Sequence, residues 1–225
     1  MTQAAEISTA PPPRHDEILI AIREMIFTGE LIGGQRVPEK MICQQLSISR
    51  TPLREALKVL ASEGLLELLP NRGARIARLT ASLVDEMFPV MGALEGLAGK
   101  IACQRISDDG IDEIRALHYQ MAAHYKRGEL GEYFGLNQQI HEKIIAATGN
   151  ATLAGMYTSL AARIRMARYR ANFSQPRWDQ AMAEHDEILS ALTERDGPRL
   201  TGVLSKHLKN TCETVKAVIA GGETG

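Results

Sequence analysis

The residues best suited to chemistry are three of the six histidines, each in a separate segment with helical periodicity. His141, His185 and His207 each lie on an apolar stripe of their own segment, so all three are expected to point into a core. A single inward histidine is more often a hydrogen-bonded core residue than a ligand. Three unpaired imidazoles would each cost about 1–3 kcal/mol, so a shared partner is the economical solution. A divalent metal is such a partner, because imidazole is a common metal ligand and helical bundles often assemble such sites.

A second group of functional side chains lies in SISRTPLREAL, residues 47–57. Ser49 suits the N-cap of a helix whose first turns would expose Arg50, Thr51 and Arg54. A helix inserted into the major groove presents its first residues to base edges, and arginine binds guanine through two hydrogen bonds. The segment therefore predicts DNA reading by these side chains. On an arbitrary helix the same arginines would simply face solvent.

Two short helices joined by a tight turn are needed to present this segment. Residues 39–46 have the apolar spacing of the first helix, and a second apolar period extends to Leu60. Together they predict a helix-turn-helix. An amphipathic helix from about Arg14 to near Gly29 is predicted before it.

A two-stranded hairpin is predicted after the second helix, on either side of residues 70–73. Three helices followed by a hairpin make a winged helix. Arg72 and Gly73 would form the tip of the wing, where a basic side chain can contact phosphates or the minor groove.

Beyond residue 79 the chain has helical periodicity with short breaks and without strand signals, which predicts an all-helical bundle. The predicted fold is therefore mostly α, an N-terminal winged helix-turn-helix followed by an all-α helical bundle. Residues 1–13 have no periodic apolar pattern and are expected to form a disordered tail. The predicted domains are 14–79 and 80–220, with a second tail at 221–225. Six helices are expected in the second domain, at roughly 80–105, 108–127, 130–148, 151–172, 177–195 and 197–220.

Composition and charge are those of a soluble globular protein that contacts phosphate at one end. Hydrophobic residues make up 44% of the chain and charged residues 24%. No apolar run approaches the roughly 20 residues of a membrane span, and no signal peptide is evident, so a cytoplasmic protein is expected. From Arg36 to Leu79, eight Lys or Arg stand against four Glu, whereas residues 80–225 carry 16 basic and 18 acidic side chains. This balance favours nucleic-acid binding by the first domain.

The three cysteines, Cys43, Cys103 and Cys212, are widely spaced and form no CxxC pair. Neither a disulfide framework nor a thiolate zinc site is predicted. All three are expected to be small core residues.

The sequence SRTPLREAL, followed by LASEGLLELLPNRGARIARL, closely resembles the DNA-binding domain of GntR-type bacterial transcription regulators. The resemblance implies that side chains at Lys40, Ser49, Arg50 and Arg54 approach phosphates or bases of double-stranded operator DNA, with a backbone contact near Gly73. Relatives often carry arginine where this chain has Lys40. Lysine can neutralise a phosphate but lacks the planar fork of arginine, so a base contact from this position is less secure.

The helical domain resembles the FCD ligand-binding domain of FadR-like GntR regulators. The resemblance rests on LEGLAG at 94–99, NQQIHEKIIAATGN at 137–150, AEHDEILSAL at 183–192 and KHL at 206–208. In many relatives an aspartate four residues before the first histidine joins three histidines around zinc, nickel or a manganese-like ion. Here Asn137 takes that place. The resemblance thus implies a divalent-metal site formed by Asn137, His141, His185 and His207. Metal binding should be weaker than with a carboxylate at residue 137, because the amide oxygen brings no charge.

The same resemblance implies a small organic acid as effector, a carboxylate or sugar acid held by the metal and an arginine clamp. Relatives commonly place that arginine where this chain has Met91, so another residue must replace it. His118 lies on an apolar stripe and is a further candidate for the cavity, although a hydrogen-bonded core histidine is the simpler interpretation. The replacement candidates share one predicted helix and are Arg163, Arg165, Arg168 and Arg170.

These observations predict a homodimeric, sequence-specific transcription regulator, with repression as the favoured mode and a metal-assisted effector in control. Two alternatives keep the regulator but make the metal the signal or a structural staple. A metalloenzyme with three histidine ligands is disfavoured, because Glu142 and Glu184 adjoin the histidines in sequence and neighbours on a helix point about 100° apart. No enzymatic activity is predicted.

Overall fold

The computed structural model describes residues 14–171 and 175–222. The predicted tail at 1–13 and residues 223–225 lie outside the described residues. The chain divides into two compact units between Arg78 and Leu79. The first unit is called the DNA-binding unit below, and the second the helical unit.

The described part of the DNA-binding unit, residues 14–78, consists of three helices and a two-stranded antiparallel hairpin. The hairpin pairs Leu66 with Ile76 and Leu69 with Gly73. Its core comprises apolar faces of the helices and the inward side of the hairpin. This order is the predicted winged helix-turn-helix. The elements are α1 (His15–Phe27), α2 (Glu39–Gln45), α3 (Arg50–Ser62), β1 (Leu66–Leu69) and β2 (Gly73–Ile76).

The turn of the wing requires glycine at residue 73 for two reasons. Gly73 has φ +80°, which side chains with a Cβ rarely adopt. A Cβ there would also lie 2.7 Å from Oε1 of Glu39. Asn71, with φ 56°, completes the reversal. The wing is therefore held close to the start of α2.

The helical unit contains the six predicted helices, and the described part of this unit has no strand. Helix α8 begins at Gln175, two residues earlier than predicted, because Pro176 falls in the first turn, where its missing N–H is tolerated. Helix α9 extends to Gly222, so the first two residues of the predicted C-terminal tail are helical. The elements are α4 (Ala81–Arg105), α5 (Asp108–Arg127), α6 (Leu130–Ala147), α7 (Ala151–Ala171), α8 (Gln175–Thr193) and α9 (Gly197–Gly222).

Small residues let α4 and α9 pack closely. A Cβ at Gly99 would lie 2.9 Å from the Leu204 side chain and 3.0 Å from Leu200. Glycine therefore sets the distance between the two backbones. The same stretch of α4 carries Glu95, which is only 2% exposed. The close packing against α9 therefore fixes the position of α4, the helix that carries the buried carboxylate of Glu95.

Only one of the three cysteines is a core residue as predicted. Cys103 is buried, whereas Cys43 and Cys212 are half-buried. Helix α2 has seven residues and buries only Ile42, so it lacks the length to enclose Cys43. Within the described residues, no helix is both long and apolar enough to cross a membrane.

Candidate metal centre and DNA-binding surface

The three predicted histidines come together in the interior of the helical unit. His141 on α6, His185 on α8 and His207 on α9 have ring centroids 5.0 to 5.4 Å apart. One ring nitrogen from each lies within 4.8 Å of the others, and all three residues are buried. This is the size of site in which one ion can bind several imidazoles. The structure thus places the three side chains where a shared ligand could reach all of them.

His207 is oriented by a buried carboxylate. Its Nδ1 lies 2.7 Å from Oε2 of Glu184, which accepts a second hydrogen bond from Arg177 at 3.0 Å. Oε1 of Glu184 accepts one from Asn210 at 2.6 Å. An imidazole that donates through Nδ1 keeps its Nε2 lone pair for a metal. Glu184 therefore favours the tautomer that a metal ligand requires.

His141 has a similar partner on another helix. Its Nδ1 lies 3.1 Å from Oε2 of Glu95, whose Oε1 is 3.3 Å from Nη2 of Arg168. The His141–Glu95 contact is short but poorly aligned, so neither atom counts as hydrogen-bonded. Two of the three histidines thus face buried carboxylates, the arrangement usual around metal-binding histidines.

Buried polar atoms without hydrogen-bond partners concentrate in this unit. Both ring nitrogens of His185 are buried and unpartnered, as are both of His141. Native proteins leave few such atoms, and each costs about 1–3 kcal/mol. Among the described residues they occur on nine side chains, all of the helical unit: Glu95, His118, Tyr133, His141, Arg163, Arg168, Arg177, Trp178 and His185. This interior has the chemistry of a binding site.

Electrostatics keep the cluster in a form that can bind a metal. Burial lowers the pKa of His185 and His207 well below the usual value, and the neighbouring histidines lower both further. Burial acts to raise the pKa of Glu95, but His141 and Arg168 outweigh it and lower that pKa to about 2. The neutral imidazoles of His185 and His207 beside an ionised carboxylate suit a divalent cation.

Asn137 lies one turn before His141 on α6 and is 4% exposed. Residues four apart on a helix share a face, so Asn137 is on the same side of α6 as the histidine. Its coordination of a metal stays a prediction.

The predicted effector residues have different surroundings. Arg168 is buried and contacts Glu95 through Nη2, while its Nε has no partner. Arg163 is half-buried, with a buried, unpartnered Nε. His118 is buried, and its Nε2 lies 2.8 Å from Oδ1 of Asp186, which agrees with its interpretation as a hydrogen-bonded core histidine. Its Nδ1 has no partner. The side chain of Arg170 lies outside the described residues.

Three buried charged residues near the histidines were missed from sequence. Glu184 was considered only as the sequence neighbour of His185, where the 100° between helix neighbours disfavours it as a general base. The structure shows that it contacts a different histidine, His207 of α9. Arg177 lies seven residues before Glu184, a helical repeat that could have linked them. Glu95 is an isolated acid within the small and apolar LEGLAG, which signals a buried charge with a partner.

The predicted DNA-binding side chains lie on the exposed side of the winged helix. Ser49 occupies the N-cap position of α3, although its side chain makes no capping hydrogen bond. Arg54 lies 3.8 Å from Glu39, which also borders Gly73 of the wing. A surface cleft of about 470 Å³ lies between α3 and the hairpin. All seven predicted contact residues are exposed: Lys40, Ser49, Arg50, Thr51, Arg54, Arg72 and Gly73.

A winged helix with exposed basic side chains, followed by an all-helical unit, is the architecture of a class of DNA-binding transcription regulator. Residues 15–76 match the family of bacterial regulatory proteins called gntR, and residues 86–210 match the FCD domain. The chain belongs to the GntR family of transcription regulators and carries its FCD domain.

Similar proteins include transcriptional regulators of individual operons. The Nta operon transcriptional regulator of Aminobacter aminovorans is 29% identical over 85% of this chain and 89% of its own. The probable D-xylose utilization operon transcriptional repressor of Paenarthrobacter nicotinovorans is 30% identical over 81% and 80%. The structure of McbR/YncC from E. coli covers 90% of this chain and 97% of its own with a TM-score of 0.81 at 18% identity, which shows the shared fold. The two sequence relatives are transcriptional regulators, and the family is one of regulators and not of enzymes, in agreement with the prediction for this chain.

Proposed function

We propose that this regulator binds a two-fold symmetric operator as a homodimer and that a small organic acid, bound beside a divalent metal in the helical unit, controls its affinity for DNA. The observation that carries the proposal is the buried cluster of His141, His185 and His207, two of whose members face buried carboxylates. Burying so many unpaired nitrogens is costly unless something binds them.

The residues that would hold the metal are the three histidines, with the amide oxygen of Asn137 as a fourth ligand. Imidazole nitrogen suits zinc and nickel better than manganese, so we propose Zn or Ni, with Mn as a further candidate. When bound, the ion would supply a Lewis-acidic position for an oxygen ligand. The carboxylate of Glu184 orients His207 through a hydrogen bond, and that of Glu95 lies 3.1 Å from Nδ1 of His141.

Arg168 is the proposed clamp for the acid group of the effector. Its guanidinium is buried, makes one long contact to Glu95 at 3.3 Å and keeps its Nε unpartnered. Arginine binds a carboxylate through two parallel hydrogen bonds, so these free donors fit an organic acid. Arg163 is the second candidate, because its buried Nε is also unpartnered. His118 is the third, through its free Nδ1.

The exposed residues of α3 and the wing are proposed to contact the operator. Arg50 and Arg54 would read base edges in the major groove, with Thr51 beside them. Lys40, Ser49, Arg72 and the backbone of Gly73 would contact phosphates or sugar, and fix the position of α3. We propose repression as the mode of action, since repressors occur among the similar proteins. A DNA target supports a cytoplasmic location, which is part of the proposal.

The proposal is tested by measuring thermal stability and operator binding of the purified protein with a panel of small carboxylates and sugar acids, with and without a chelator. The expected result is that one acid raises Tm and changes DNA affinity, and that chelation abolishes both effects. An alternative, supported by the same histidine cluster, is that the metal itself is the signal. In that case metal alone would change operator affinity. A structural staple would raise Tm without changing DNA binding.

A further inference from the structure

Helices α6 and α8 face each other through aromatic side chains at two levels. His141 and His185 form one level, with ring centroids 5.4 Å apart. Tyr133 and Trp178 form the other, with ring centroids 5.2 Å apart and the rings edge to face. On each helix the two levels are separated by seven or eight residues, which corresponds to about 11 Å. The aromatic pair is thus two helical turns from the histidine cluster, on the same inward faces.

The aromatic level carries unpaired hydrogen-bond donors. Oη of Tyr133, Nε1 of Trp178 and Nε of Arg177 are all buried without a partner. Indole and guanidinium nitrogens can only donate. Burial raises the pKa of Tyr133, so its phenol keeps the proton and can donate as well. The group is rich in donors, and its single acceptor atom, the Tyr133 hydroxyl oxygen, has no partner either, so oxygen atoms of a ligand would pair with these groups.

Arg177 connects this level to the histidines. Its Nη1 donates to Glu184, the carboxylate that holds His207, and its Nη2 donates to Oγ1 of Thr211 at 2.8 Å. These two hydrogen bonds fix the orientation of the guanidinium, and so also the direction of its unpartnered Nε–H. Asn137, buried on α6 midway between Tyr133 and His141, lies between the two levels.

We propose that Tyr133, Trp178 and Arg177 form a distal binding site that takes an oxygen acceptor at the far end of the effector. The inference rests on the proposed function, in which the near end of the acid binds at the histidine cluster. The effector class is thereby narrowed to acids with a second oxygen group remote from the first carboxylate, such as dicarboxylates and polyhydroxy acids. Monocarboxylates with an alkyl end leave the distal donors unpaired.

Trp178 is the single tryptophan of the chain, so its fluorescence reports on the distal site. Full-length protein with added Zn²⁺ is titrated with matched acids that differ only in the distal oxygen group: succinate with butyrate, and adipate with hexanoate. The expected result is that at least one oxygenated acid changes the Trp178 emission and binds about tenfold or more tightly than its matched partner.

Tyr133→Phe removes one distal donor and leaves the ring in place. It is expected to weaken the oxygenated acid about five- to twentyfold and to leave its alkyl partner unchanged. Because the hydroxyl has no protein partner, Tm of the ligand-free variant should not fall. Tyr119→Phe is the matched control, since Tyr119 is 63% exposed, and it should leave every affinity unchanged.

Two kinds of failure can be told apart. If the matched acids bind within about threefold of each other, or Tyr133→Phe weakens both alike, the distal site is overturned while metal-assisted sensing stands. If no acid binds, or chelation leaves binding unchanged, the proposed function fails and the distal site fails with it. A large loss of stability in ligand-free Tyr133→Phe would show that the hydroxyl serves the fold, which also overturns the inference.

Discussion

The two units differ in where their functional groups lie: exposed in the DNA-binding unit and buried in the helical unit. In the DNA-binding unit the predicted contact residues are exposed, and its described residues contain no buried side-chain nitrogen or oxygen without a partner. In the helical unit the polar groups are inside and many lack partners. The first unit can therefore fold completely and then meet DNA at its surface. The second keeps unpartnered polar groups inside, which the proposed metal and effector would pair.

The largest effect that would test this difference concerns the buried ion pairs. Arg177→Met leaves Glu184 in the interior without the guanidinium at 3.0 Å, and should lower the free energy of unfolding by about 3–5 kcal/mol. Urea denaturation measures it. The matched control is Arg199→Met, whose partner Glu194 is exposed, and its effect should stay below about 1 kcal/mol. Equal effects at the two sites would mean that the interior of the helical unit is not sensitive to charge pairing.

The next effect concerns the surface of the other unit. The probe is a duplex that the wild-type protein selects from a random library. Arg50→Ala should weaken binding to this duplex by about 1–3 kcal/mol, or roughly 5- to 150-fold, because a base contact is lost. The free energy of unfolding should change by no more than about 0.5 kcal/mol, since Arg50 is exposed. Gel-shift titration against random DNA measures the first quantity. Lys126→Ala, an exposed lysine of the helical unit, is the charge-matched control and should leave discrimination intact. Unchanged selectivity in Arg50→Ala would remove α3 as the reading helix.

A smaller effect concerns Asn137. Asn137→Asp adds a carboxylate one turn before His141 and should tighten zinc binding about tenfold, because the charged ligand attracts the cation more strongly. Competition with a chromogenic chelator measures the affinity. Asn150→Asp changes an exposed residue whose side chain caps α7, so it is the control and should leave the affinity unchanged. No difference between the two variants would place residue 137 outside the coordination sphere.

The smallest effect concerns Lys40. If its ammonium neutralises one phosphate, Lys40→Ala should reduce the slope of log affinity against log salt by about 1 and weaken operator and random DNA alike. The measurement is a binding titration at several salt concentrations. A selective loss of operator binding would instead show that Lys40 contacts a base.

Most of the fold could be predicted because its signals are local. Apolar periodicity located every helix of the helical unit, and the turn residues around Asn71 and Gly73 located the wing. The inward direction of the three histidines also followed from helical period, which fixes the face on which a residue lies. The predicted start of α8 was less accurate, because a proline such as Pro176 is compatible either with a break before a helix or with its first turn.

The partners of the site could not be predicted, because they depend on which helices meet. Glu184 was placed correctly on its own helix, but the sequence does not show that α9 brings His207 to 2.7 Å from it. The contact between Glu95 and Arg168 joins residues 73 positions apart. The pairing of Tyr133 with Trp178 likewise depends on how α6 faces α8. Such contacts are set by tertiary packing, which periodicity does not specify.

The presence of a metal in the helical unit is tested most directly by the metal content of the protein purified without chelator. We expect close to one Zn or Ni ion per chain, or uptake of one on addition, because the buried histidines form a single cluster. His185→Ala should abolish that uptake, whereas His15→Ala, at an exposed position, should retain it. A wild-type protein that holds no metal and takes up neither zinc nor nickel would rule out the proposed metal site.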